Sequence, residues 1–119
     1  MLRKQAEMQT VIRENIKGGQ GAIAQMHLIR PEEMSGYARH CAVMTLAPGD
    51  SIGAHDHAEE AEFFYLLEGE LVTLCDEKEV PFVAGDASFT TGAGNRHMLQ
   101  NRSGQPAKVL AIVMTPKTV

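Results

Sequence analysis

Apolar runs of four to seven residues recur from Ala22 to Met114, each closed by residues that supply turn geometry, and none extends into a long 3.6-residue period. That rhythm predicts short strands over Ala22–Ile29, Arg39–Leu46, Ser51–His57, Glu62–Leu67, Glu70–Cys75, Glu79–Val83, Ala87–Thr90, His97–Arg102 and Lys108–Met114. The breaks carry Pro48-Gly49, Gly69, Asp76-Glu77-Lys78, Gly85-Asp86, Gly92 to Asn95 and Ser103 to Pro106. So many short strands imply an all-β sandwich or barrel, and 119 residues hold one such domain.

Residues 1–21 precede that body and end in Gly18-Gly19-Gln20-Gly21, so they read as an N-terminal arm, with residues 22–119 as the single barrel domain. Val11, Ile12 and Ile16 in the arm call for burial, and an arm laid on its own or a neighbour's sheet would cover an edge strand. A homodimer is the expectation. Pro31 to Met34 reads as one helical turn, and Thr115 to Val119 as a frayed tail.

Charge excludes some partners. Fifteen acidic and 11 basic side chains leave a net of -4, and the basic residues are scattered singly, which gives neither nucleic acid nor an anionic membrane a binding patch. No apolar run approaches the roughly 20 residues of a membrane helix, and Met1 to Glu7 lacks the apolar stretch of a secretory signal, so a cytoplasmic location is expected. Cys41 and Cys75 are not spaced as C-x-x-C and read as reduced, half-buried small hydrophobes.

Chemistry concentrates between Gly49 and Glu62. Strand alternation sends His55 and His57 to one side and Asp56 to the other. Glu62 follows His57 by five residues, an odd offset, so it joins the pair only if the chain bends across Ala58 to Ala61. It then leads into Phe63-Phe64-Tyr65-Leu66-Leu67, where a buried carboxylate needs a compensating cation. His97, after the glycine-rich segment, is the fourth candidate. Three imidazoles and one carboxylate suit a divalent transition metal better than calcium or magnesium, which prefer oxygen shells.

Gly49, His55, His57, Glu62 and Gly69 reproduce the first cupin motif, G-x5-H-x-H-x4-E-x6-G, with every spacing intact. Gly94, His97 and Asn101 match the latter half of the second motif, G-x5-P-x-G-x2-H-x3-N. In its first half Thr91 stands at the proline position, and Gly94 and His97 arrive one residue late, as an inserted loop residue would leave them. From about Arg39 to Met114 the chain thus resembles the small single-domain microbial cupins, often labelled as similar to mannose-6-phosphate isomerase, in which a stretch like Tyr65-Leu66-Leu67-Glu68-Gly69-Glu70 is frequent.

The resemblance implies a double-stranded β-helix or jelly-roll barrel enclosing one divalent transition metal, iron or manganese favoured and nickel, zinc or copper possible, on His55, His57, Glu62 and His97. Such a centre carries a formal charge of about +1 and attracts anionic oxygen ligands. The leading expectation is a mononuclear metal enzyme acting on a small oxygen-rich molecule by oxygenation, carbon–carbon cleavage, decarboxylation or isomerisation. The alternatives are a non-catalytic cupin that binds a small ligand through its metal, and a sugar-phosphate isomerase, for which no cluster of basic residues is evident. No catalytic residue is assigned, and Glu59, His40 and solvent all stay open as general base.

Other side chains have plainer readings. His27 and His40 stand alone and read as satisfied core or surface residues; Glu59 and Glu60 read as a solvated turn; Arg39 and Arg96 read as surface charges. Phe63, Phe64, Tyr65, Phe82 and Phe89, with Met44, Met98 and Met114, read as barrel filling.

Overall fold

Eight strands build the fold, and two of them are long enough to bend through both of its layers. A computed structural model describes residues 1 to 116; of the tail expected to fray, the last three residues lie outside the described chain. The strands are β1 (Gln9–Glu14), β2 (Ala22–His27), β3 (Ala38–Leu46), β4 (Ser51–Glu68), β5 (Glu70–Cys75), β6 (Lys78–Val83), β7 (Ala87–Gln100) and β8 (Ala107–Met114). Their hydrogen-bonded order is β1-β2-β3-β8-β4-β7-β5-β6, and every pairing is antiparallel. Pro31–Glu33 forms the expected helical turn.

Strands β4 and β7 each replace two expected shorter strands. The second half of β4 pairs with β8 on one side and with the first half of β7 on the other. Its first half pairs with the second half of β7, which continues onto β5. The sheet therefore folds back on itself, and its inward faces meet in a core that includes Ile23, Leu46, Phe64, Leu66, Leu99 and Val109. β8 shows the alternation most plainly: Ala107, Val109, Ala111 and Val113 are buried, and the residues between them are not.

Asn101, fully buried beyond the end of β7, ties the layers at their base. Its side chain donates to the carbonyls of Leu46 and Gln105 and accepts from the N–H and hydroxyl of Ser103.

Some packing expectations fail because the outward face of the sheet is also apolar. Tyr65 is 38% and Phe89 61% exposed, while Phe64 and Phe82 are in the core as expected. Residues 9–14 form an edge strand paired with β2, yet Val11 and Ile12 stay exposed there; only Ile16 packs against the core. Cys75 is exposed and Cys41 half-buried, both as free thiols.

The N-terminal segment is fixed at two places. Residues 17–19 lie against β4 so closely that a side chain at Gly19 would collide with the Ser51 carbonyl, and one at Gly53 with the Lys17 carbonyl. Arg3 donates two hydrogen bonds, of 2.7 and 2.6 Å, to the Glu33 carboxylate. That bond to Arg3, with support from the Arg30 backbone N–H, holds the Glu33 carboxyl at about 2. A depressed carboxyl pKa stabilises the docked segment above the ordinary value of 4.5 and is lost as pH falls from there through about 2. The Glu33 side-chain carbon, followed by NMR, is expected to titrate near 2, and in Arg3→Ala to move well back toward 4.5. An unchanged titration in that variant would refute the pairing.

Candidate metal centre

Two opposed irregularities in the β4–β7 pairing create the site. His55 lies opposite His97, and His57 opposite Gly92, so residues 93–96 of β7 have no counterpart. Ala61 is then opposite Thr91, which leaves Ala58, Glu59 and Glu60 of β4 unmatched. The bend expected across Ala58 to Ala61 is present, but it does not separate two strands. A bulge inside one continuous strand instead resets the alternation and returns Glu62 to the inward face shared by His55 and His57.

The β7 bulge is braced. Gly92 and Gly94 both take positive φ, the Gly94 N–H donates to Asp56 Oδ2 at 2.8 Å, and the Asn95 amide donates to the Thr91 carbonyl. Arg96 points outward onto Glu77, in a bidentate pair of 3.1 and 2.7 Å, and so leaves His97 facing in. His97 is fully buried, stacked on Phe64 with ring centroids 5.0 Å apart.

The four side chains expected to meet do so. One donor atom from each of His55, His57, Glu62 and His97 falls within 4.8 Å of the other three. Glu62 Oε1 is 3.0 Å from both His57 Nε2 and His97 Nε2 and 4.0 Å from His55 Nε2. His97 Nε2 and His55 Nε2 are themselves 3.0 Å apart.

Tautomers decide what this arrangement fits. The Gly53 carbonyl can only accept, so at 2.7 Å it fixes the proton of His55 on Nδ1 and turns a bare Nε2 lone pair toward the cluster. His57 faces a carboxylate at each end, with Nδ1 3.5 Å from Glu60 and Nε2 3.0 Å from Glu62. Burial lowers the pKa of His55, and the neighbouring imidazoles lower it further. For Glu62, burial works upward but is outweighed by the hydrogen bond and charge of His97 and by His57, which leave the carboxyl below its usual range. A lone pair, an ionised carboxylate and two further imidazoles converging on one point form a donor set that fits a divalent transition metal.

The remaining candidates separate cleanly. Glu60, read as solvated, instead spans two partners: Arg39 grips it through Nε and Nη2, and its carboxylate reaches His57 Nδ1. Sequence gave no sign of this, because only the bulge turns Glu60 back along His57. Glu59 is exposed. His27 and His40, read as isolated, meet edge-on with ring centroids 5.5 Å apart. A separate cavity of about 810 Å³ opens between the β5–β6 hairpin and β7, lined by residues that include Thr73, Phe82, Phe89 and Arg96 but none of the four clustered side chains.

The chain resembles known proteins over most of its length. The Cupin_2 family, described as the cupin domain, matches residues 42–113. An oxalate-binding protein of Thermotoga maritima is 39% identical over 100 residues, which are 84% of this chain and 82% of that protein. The tetracenomycin polyketide synthase protein TcmJ of Streptomyces glaucescens is 34% identical over 70% of this chain, and the match spans 55% of TcmJ. Among solved structures, a Thermotoga maritima crystal structure described as a predicted oxalate decarboxylase superposes with a TM-score of 0.89 at 35% identity, covering 98% of this chain and all of that one. A cupin-superfamily sugar phosphate isomerase from Silicibacter pomeroyi gives 0.69 at 27% identity, over 79% of this chain and 60% of its own.

A carboxylate behind a ligating imidazole orients the ring and raises its basicity, and losing one costs roughly ten- to a hundredfold in metal affinity. Glu60→Gln is expected to weaken Co²⁺ binding by about that factor in calorimetry, with Glu59→Gln within about twofold of the parent. Equal effects of the two substitutions would remove Glu60 from the site.

Proposed function

The chain belongs to the cupin family, and on that footing we propose that it holds one divalent transition metal, iron or manganese first among candidates, on His55, His57, Glu62 and His97 and uses it to bind a small oxalate-class dicarboxylate. The convergence of those four donor atoms within 4.8 Å carries the reading. When bound, the metal supplies Lewis acidity and a net positive charge for anionic oxygen. The protein's part is orientation: Gly53 sets the His55 tautomer, and Glu60, held by Arg39, aligns His57. Phe64 stacks on His97 and closes the inner side of the site to water.

The oxalate class draws support from the 39%-identical oxalate-binding protein. A phosphorylated sugar fits less well. Phosphate recognition calls for free arginine forks, and Arg39, Arg96 and Arg102 are each committed to a glutamate, Arg39 to Glu60, Arg96 to Glu77 and Arg102 to Glu79. The neighbour described as a decarboxylase favours a second reading, in which bound hydrogen oxalate is split. Its carbon–carbon bond breaks, one carbon leaves as carbon dioxide, and the other keeps the electron pair, takes the proton and leaves as formate.

Calorimetry with metal-loaded protein is expected to show oxalate binding that chelation abolishes, and His97→Ala to lose metal and oxalate together. Metal at normal stoichiometry in His97→Ala would contradict the ligand set. Formate release during the same titration would establish turnover; its absence with binding intact would leave a binding protein.

We further propose a homodimer, in a cytoplasmic setting that suits the free thiols Cys41 and Cys75. The outward face of β7, β4, β8 and β3 is apolar across its rows: Phe63 lies opposite Phe89 and Ile112, Tyr65 opposite Leu110, and Leu110 opposite Val43. Exposed Ile12 on β1 extends the apolar surface to the sheet edge. A two-fold pairing would cover this face on both copies and bring the N-terminal arm onto its partner. Sedimentation at micromolar concentration is expected to give a dimer that Phe89→Glu dissociates; a monomeric parent would end this reading.

A further inference from the structure

Two buried polar atoms on the inward face of β2 have no hydrogen-bond partner among the described residues. They are Gln25 Oε1, on a residue 3% exposed, and His27 Nδ1. Alternation along β2 places both side chains on the face that also buries Ile23, with Gln25 opposite Met44 and His27 opposite Ala42. His40, two residues before Ala42 on β3, shares that face and meets the His27 ring. Three polar side chains thus occupy a strand face where apolar residues would be more stabilising, and an unsatisfied buried amide carries a real cost.

One of the three, His40, relates the group to the metal centre. His40 lies opposite Val113, and Val113 lies opposite Glu62, so His40 and Glu62 stand in one cross-strand row. Two strand spacings, about 9–10 Å of sheet, separate their backbones. Their charges interact: burial lowers the pKa of His40, and Glu62 partly opposes that. The side chains between and beside them, Val113, Ala111 and Ala42, are small. Beyond His27, a cavity of about 170 Å³ is lined by Arg3, Glu7, Gln9 and Arg30.

We propose that Gln25, His27 and His40 form a second pole of the ligand site, which hydrogen-bonds the outer oxygens of a small dicarboxylate whose near end lies at the His55–His57–Glu62–His97 cluster. The inference rests on the reading that the cluster holds a metal and takes an oxalate-class anion. Neutral imidazole N–H and amide N–H groups are suitable donors to carboxylate oxygens, and the Gln25 amide presents either end after a half-turn about its last bond. The metal centre meets the ligand's charge and the pole reads its length. Formate, with a single carbon, has no second carboxylate to reach it.

Zinc-loaded protein, which gives clean NMR spectra, provides the test. Oxalate is expected to shift the ring ¹⁵N resonances of His27 and His40 in the parent chain, and formate to leave them in place. Gln25→Met and His40→Phe are expected to keep zinc affinity and formate binding within about twofold while losing about tenfold or more in oxalate affinity. Oxalate binding that leaves both rings unshifted, or that is undiminished in both variants, overturns this pole and leaves the metal reading standing. A parent chain that takes up zinc but binds neither anion overturns both. Should either variant fail to fold, the ring shifts in the parent chain decide the matter alone.

Discussion

An ionised carboxylate 7% exposed inside an apolar sheet is the constraint around which this fold is arranged. Burial alone would drive Glu62 toward its neutral form, and the residues around it reverse that outcome. His57 and His97 come within 3.0 Å of the same oxygen, and both rings are themselves almost fully buried. Such a group is stable only as a set, because removing one member leaves the others desolvated without a partner.

Assembling the set requires a β-sheet to break its own rule of alternation. A strict period of two would point Glu62 away from His55 and His57, and the unmatched residues 58–60 correct that without ending the strand. The opposite bulge, at residues 93–96, lets His97 enter from β7 at the level of His55. Both bulges then recruit their own outward residues as braces: Glu60 onto His57 and Arg39, Asp56 onto Gly94, and Arg96 onto Glu77. Arg39 and Arg96 are thereby committed to carboxylates other than Glu62.

The cluster was readable from the chain because its spacing is local and its residue types are costly to bury. The all-β barrel was readable because turn residues punctuate it regularly, although β1 was read only as an arm and β4 and β7 run on through expected breaks. The braces were not. Glu60 and Glu59 are adjacent and chemically alike, and only the three-dimensional path of the bulge separates a residue that touches His57 from one facing water. The pairing of His27 with His40 depends on register between β2 and β3, which no single strand encodes. The exposed positions of Phe89 and Tyr65 escaped for a related reason: alternation reports two faces but does not say which one points inward when both are apolar.

Gly53 performs two tasks with one peptide unit. Its carbonyl fixes the proton of His55, and its missing side chain lets the backbone at residues 17–19 come into contact with β4. Residues far from the metal motifs in sequence therefore act as a backstop for one of its ligands. Any change in the loop before β2 would be transmitted through these backbone contacts to the ring that Gly53 orients. The orientation of His55 within the cluster is thus open to adjustment from a segment far earlier in the chain.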